Sequence, residues 1–202
     1  MTDHDPNNYA HYTVRLITPD DWCDYRDYYK RLSDPHHFRE ILEGQDLDAP
    51  ETYAKLFSQT IGTNSFVMFG LWHRNKMIGQ SSIDFSDTHG RKKALLAGSE
   101  IADEYRGRRL VNKFYAARMQ YLRDIKFEGD ITTTIRPGNH QSIKAAERNG
   151  FASTGSLDEH GYLIFVPVGL HPAQAIEAPS RPTTDLGCAP KSVGLGSAGA
   201  GS

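Results

Sequence analysis

Cysteine is close to absent. Cys23 and Cys188 are the only two in 202 residues, 165 positions apart, a separation that fits neither a disulfide framework nor a metal-ligand spacing, so both read as free thiols. Long apolar runs are missing as well. Nothing approaches the roughly 18 residues of a spanning helix, and Met1 to Asn8 is polar and acidic where a secretory leader is basic and then apolar. The expectation is a cytoplasmic protein with no membrane partner. A formal net charge of −2 and a pI near 6.5 exclude a global attraction to nucleic acid or anionic lipid. The nine histidines include His36-His37 but no i, i+4 pair with a carboxylate between, so no metal is expected.

What is present suits one core. The chain is 38% hydrophobic and 10% aromatic, and its length is that of one domain of roughly 100–200 residues plus tails. Residues 171–202 hold four Pro, five Gly, four Ser and six Ala and no aromatic residue, the composition of a disordered tail. With a polar, flexible 1–10 segment, this leaves 11–170 as the folded domain.

Periodicity divides that domain. Thr13–Ile17 predicts a strand, Thr18-Pro19-Asp20-Asp21 a turn, and Trp22, Tyr25, Tyr28, Tyr29 and Leu32 a helix. Glu51–Ile61 predicts a second helix, stopped by Gly62. Phe66–Trp72 and Met77–Phe85 form a hairpin about Arg74-Asn75-Lys76, extended by a strand over Ala94–Ala102. A long helix begins at Leu110, with Phe114, Ala117 and Tyr121 on its stripe and Ile125 flanking it. The strand Asp130–Arg136, a helix over His140–Arg148 ended by Asn149-Gly150, and strands at Phe151–Ser153 and Tyr162–Val168 complete the chain. The order β-α-α-β-β-β-α-β-α-β-β implies an α/β (α+β) fold, a mixed central sheet with helices on both faces and parallel strands at the long helix.

Ser99 to Leu110 runs from a strand through a basic loop into a helix start, where free N–H groups and the helix dipole favour an anion. Gly107 allows close backbone approach, and Arg106, Arg108, Arg109 and Lys113 put four positive charges within eight residues. A solvated basic turn accounts for the same residues. Further on, Asn139, Ser142 and Ala146 precede Asn149-Gly150-Phe151.

Together these segments resemble the GNAT superfamily of N-acetyltransferases: Ile101-x-Asp103-Glu104-Tyr105-Arg106-Gly107 looks like its acetyl-CoA loop, and the Asn, small residue, Gly-Phe spacing like its C-terminal signature. The similarity covers roughly Thr13 to Val168 and extends to the ribosomal-protein N-terminal acetyltransferase branch, which has a serine like Ser142. It implies acetyl-CoA as co-substrate, bound by Ser99, Ile101, Arg106, Gly107, Arg108, Arg109, Leu110, Val111, Asn139 and Ser142. Direct attack by an amine needs a base, and strand alternation, which turns Ser99 and Ile101 to one face and Glu100 to the other, makes Glu100 the candidate. The chain departs from the family where Arg109 and Val111 replace small residues and where Ala146 replaces the tyrosine that often protonates the thiolate, which leaves Ser142 or a water on Asn139 as acid. Asp84 and His140 are the reserve bases. Glu100 is equally an exposed sheet carboxylate and Ser142 a capping residue.

The acceptor is a small-molecule or peptide amine. Asp34, Glu40, Glu43, Asp46, Asp48 and Glu51, against Arg39, form either an attracting acidic loop or a solvated linker, and Tyr25, Tyr28, Tyr29 and Phe38 either its wall or core. A non-catalytic acyl-CoA-binding or regulatory protein of the same fold is the rival reading. A nucleic-acid partner lacks a base-reading motif, and a homodimer is left open.

Overall fold

The computed structural model describes residues 11–33, 38, 42–61 and 63–169. The expected tail, the 1–10 segment and the helix stop at Gly62 lie outside the described residues. The first strand, β1 (Tyr12–Leu16), passes through a 3-10 turn at Pro19–Asp21 into α1 (Trp22–Tyr29). Asp21 secures the junction. Its carboxylate accepts the Thr18 N–H and hydroxyl at 2.9 Å each and a forked bond from Arg15 at 2.6 and 2.8 Å. The Arg15 guanidinium holds that carboxyl below the usual carboxylate range. Pro50 opens α2 (Pro50–Leu56), whose end loosens into a π-helical turn at Phe57–Ile61.

Strands β2 (Phe66–His73), β3 (Lys76–Thr88) and β4 (Arg91–Ile101) form a meander, and α3 (Val111–Asp124) leads to β5 (Asp130–Ile135). After α4 (His140–Arg148) come β6 (Phe151–Leu157) and β7 (Leu163–Pro167). The sheet runs β1-β2-β3-β4-β5-β7-β6, antiparallel except where β4 meets β5. The element order agrees with the periodicity. The β3–β4 hairpin is longer than predicted because His89 and Gly90, at φ 54° and 79°, make a tight turn that matches strand twist and keeps the ladder paired to Thr88 and Arg91.

Strand alternation divides the apolar residues between two faces. Leu71, Ile78 and Ile83 pack with Phe114, Ala146 and Phe165 beneath α3 and α4, while Met68 and Met77 pack with Tyr25, Tyr28, Tyr53 and Leu56 of α1 and α2. Periodicity missed one core member. Arg118 of α3 is 1% exposed, whereas Ile125, expected beside the apolar stripe, is 46% exposed at the helix end. The guanidinium lies 4.8 Å from the Tyr115 ring centroid and donates to the carbonyls of Phe114, Ser82 and Ala97 at 3.3–3.4 Å. Among the described residues no helix is long and apolar enough to cross a membrane.

The site follows from two irregularities at β4. It pairs with β5 only over Lys93–Leu95, after which β5 turns to β7 through Thr133–Ile135 while β4 continues to Ile101. The strands part there. On its other side Gln80 faces Glu100 and Ser82 faces Ala97, so Gly98 and Ser99 together oppose Ser81 in a β-bulge, with Gly98 at φ 60°.

Candidate active site

The parted strands open a cleft of about 810 Å³. Its β4 wall carries Ser99, Glu100 and Ile101, its loop wall Arg106, Gly107, Arg108, Arg109, Leu110 and Val111, and its α4 wall Asn139 and Ser142. The structure therefore brings together every residue nominated for cofactor binding and the two leading candidates for the chemistry, Glu100 and Ser142. Neither reserve base, Asp84 or His140, lines it.

The loop is built for an anion. Gly107 stands at φ +78° with open space where a Cβ would be, so the backbone conformation itself calls for glycine. Arg109 is also left-handed, at φ 56°, a conformation that costs an L-residue about 1–2 kcal/mol. Two left-handed residues coil the loop onto the first turn of α3, which has neither a side-chain cap nor an acidic residue. Open N–H groups and the positive helix end thus face the cleft. This geometry suits an anionic group.

The basic side chains divide their work. Arg106 donates through Nε to the Ile101 carbonyl at 3.0 Å and pairs with Asp103 at 2.8 Å. Arg108 donates to the Tyr12 hydroxyl at 3.2 Å and the Glu104 carbonyl at 3.1 Å, with its guanidinium 5.2 Å from the Tyr105 ring centroid. Both brace the loop. Arg109, Lys144 and Arg148 contribute positive charge to the cleft walls. Sequence reasoning overlooked Lys144 and Arg148, although their spacing with Gln141 puts all three on one face of α4.

Beyond the bulge the strand alternates as expected. Ile101 packs toward α3, Ser99 Oγ meets Ser81 Oγ at 2.9 Å, and the Glu100 carboxylate turns to the α1 face, where Gln80 Nε2 donates to Oε2 at 2.8 Å. The cap at α4 differs from the expectation. Asn139, not Ser142, is the N-cap, its Oδ1 accepting the Ser142 N–H at 3.1 Å. Asn149 Nδ2 donates to Asn112 Oδ1 at 2.9 Å and to the Ala145 carbonyl at 2.7 Å, tying α4 to the start of α3. Ala146 is fully buried in the core below, so no side chain from that position enters the cleft.

The acceptor wall is corrected in part. Tyr25, Tyr28 and Tyr29 are at most 6% exposed and belong to the core. Of the acidic residues, Asp34 and Glu40 lie outside the described residues, as does Arg39. Asp48 pairs with Lys30, and Asp46 Oδ1 accepts the Asp48 N–H at 2.9 Å. These two acids serve the turn before α2.

Comparison with known proteins bears on the family and the fold. The family described as an acetyltransferase (GNAT) domain matches residues 12–152. No curated protein matches the chain in sequence. Among solved structures, a ribosomal-protein-S5-alanine acetyltransferase from Vibrio fischeri superimposes with a TM-score of 0.60 at 19% identity, covering 80% of this chain and 96% of the other. Mycobacterium smegmatis RimJ in complex with CoA-disulfide gives 0.60 at 19% identity, covering 76% and 80%. Spermidine N-acetyltransferase from Vibrio cholerae in complex with CoA and spermine gives 0.56 at 17% identity, covering 77% and 93%. At such identities the likeness is one of fold.

Proposed function

The chain belongs to the GNAT acetyltransferase family, and from that premise we propose that it transfers an acetyl group from acetyl-CoA to a primary amine by direct attack in a ternary complex. The observation that carries this reading is the uncapped start of α3, with its left-handed loop, beside the parted β4 edge that presents Glu100 in the same cleft.

Backbone amides from Gly107 to Val111 hold the pyrophosphate, and Arg109, Lys144 and Arg148 supply charge around it. The exposed β4 edge at Ser99 and Ile101 takes the pantetheine arm in the manner of an added strand. Acetyl-CoA supplies an activated thioester. The amine nitrogen attacks its carbonyl carbon, the C–N bond forms and the C–S bond breaks. Glu100 takes the proton lost by nitrogen, directly or through water, and Ser142 or a water beside Asn139 delivers one to sulfur. Both cysteines stand outside this scheme. Cys23 is an exposed residue of α1 and Cys188 lies outside the described residues.

The test is release of free CoA from acetyl-CoA with a panel of amines that includes an alanine-starting peptide and spermidine. Turnover with at least one amine is expected. With that amine, Glu100→Gln lowers kcat/KM by about 100-fold near neutral pH and by less at high pH, where the amine is already neutral. Tight CoA binding without any turnover would instead identify a non-catalytic acyl-CoA-binding protein, the reading that Ala146 favours.

A further inference from the structure

Gln80 is a primary amide in the middle of the sheet with no exposure to solvent. Burying such a group costs free energy unless both ends find partners, and here both do. Oε1 accepts the Tyr25 hydroxyl at 3.0 Å and Nε2 donates to Glu100 Oε2 at 2.8 Å, across the β3–β4 pair where the bulge ends. Resting on the acetyltransfer reading above, we propose that Tyr25 and Gln80 are positioning residues: a buried donor chain that orients the Glu100 carboxylate and keeps it ionised to accept the amine's proton.

The direction of the chain follows from its inner end. Tyr25 is fully buried, held edge-on by Tyr53 and Phe57 with ring centroids 6.0 and 6.3 Å away. Burial pushes its phenol well above the usual range, so it remains a protonated donor. That proton occupies the amide oxygen of Gln80, which turns the amide N–H toward Glu100. A carboxylate answers this donor; a reversed amide would set two oxygens against each other. Tyr28 of α1 donates its hydroxyl to the Glu100 carbonyl at 3.2 Å, and Arg31 and Arg106 supply positive charge around that phenol.

The experiment is the pH profile of kcat/KM with acetyl-CoA and one accepted amine for the unmodified protein, Gln80→Met, Tyr25→Phe and Glu100→Gln. Removal of the amide donor in Gln80→Met should move the acidic limb to higher pH by about one unit, with KM for acetyl-CoA unchanged, since one charge-assisted hydrogen bond to the ionised form is lost. Tyr25→Phe should move it the same way by less, and Glu100→Gln should move it furthest, to the pH at which the amine itself becomes neutral. If Glu100→Gln displaces the limb while Gln80→Met and Tyr25→Phe, both folded by thermal melting, keep it in place, the chain is merely structural and the proposal falls. Should Gln80→Met fail to fold, Tyr25→Phe decides alone: a displaced limb supports the chain and an undisplaced one overturns it. A limb left in place by Glu100→Gln refutes Glu100 as base, and the proposal with it.

Discussion

Arg118 and Asp84 show how this core treats charge. Burial pulls the Arg118 guanidinium down to about 10, which leaves it charged at neutral pH and satisfied by three backbone carbonyls. Burial pushes the Asp84 carboxyl up, Ser82 and then Arg118 offset this only in part, and among the described residues Asp84 Oδ1 has no hydrogen-bond partner. A carboxyl raised in the folded state contributes stability below its unfolded pKa and loses it as pH rises through the folded value. Asp84→Asn mimics the protonated form. The expected outcome is a melting temperature a few degrees higher at pH 7, about 2–4 °C per kcal/mol in a chain of this size, with the gain vanishing near pH 3. A melting series from pH 3 to 8 checks this. The i, i+4 spacing from Phe114 puts Arg118 on the apolar stripe, but only the carbonyls of Ser82 and Ala97 explain why a cation sits there.

At the scale of elements, the loop and the two helix starts define the cleft. Gly107→Pro demands φ near −65° where the chain has +78° and removes an N–H. CoA binding by calorimetry should therefore weaken by more than about tenfold. Arg108→Ala should weaken it less, because that side chain is engaged with Tyr12 and Glu104. Asn139→Ala removes the α4 cap and should cost about 1 kcal/mol of stability, most of it restored by Asn139→Ser. Denaturant unfolding reads the loss. CoA affinity should decline in parallel, since α4 carries Gln141, Lys144 and Arg148 to the cleft. The helices and strands were legible because each has a full period of apolar positions. The bulge was not, because Gly98 alone is compatible with a regular strand.

For the molecule as a whole, the sheet closes where Val168 N–H donates to the Gly150 carbonyl at 2.7 Å, just past the end of β7 at Pro167. The composition after Leu170 offers little apolar surface to bury. A chain ending at Leu170 should keep its melting temperature within about 2 °C and its CoA affinity unchanged. A clear loss of either, measured by melting and calorimetry, would show that the tail docks on the domain.

The amino-acid order by itself determined the elements, their sequence and the loop from Ile101 to Gly107, because period, turn chemistry and a helix start are local properties of the chain. It also nominated Glu100 and Asn139. Tertiary structure alone decided that β4 and β5 part after Leu95, that Arg118 goes inward and that Ala146 lies beneath the cleft rather than in it. It also decided that Tyr25 and Gln80, 55 residues apart, line up behind Glu100. The reason is physical: a buried polar group is tolerable only where its partners are, and those partners come from strands and helices that are distant in sequence and adjacent only once the sheet has formed.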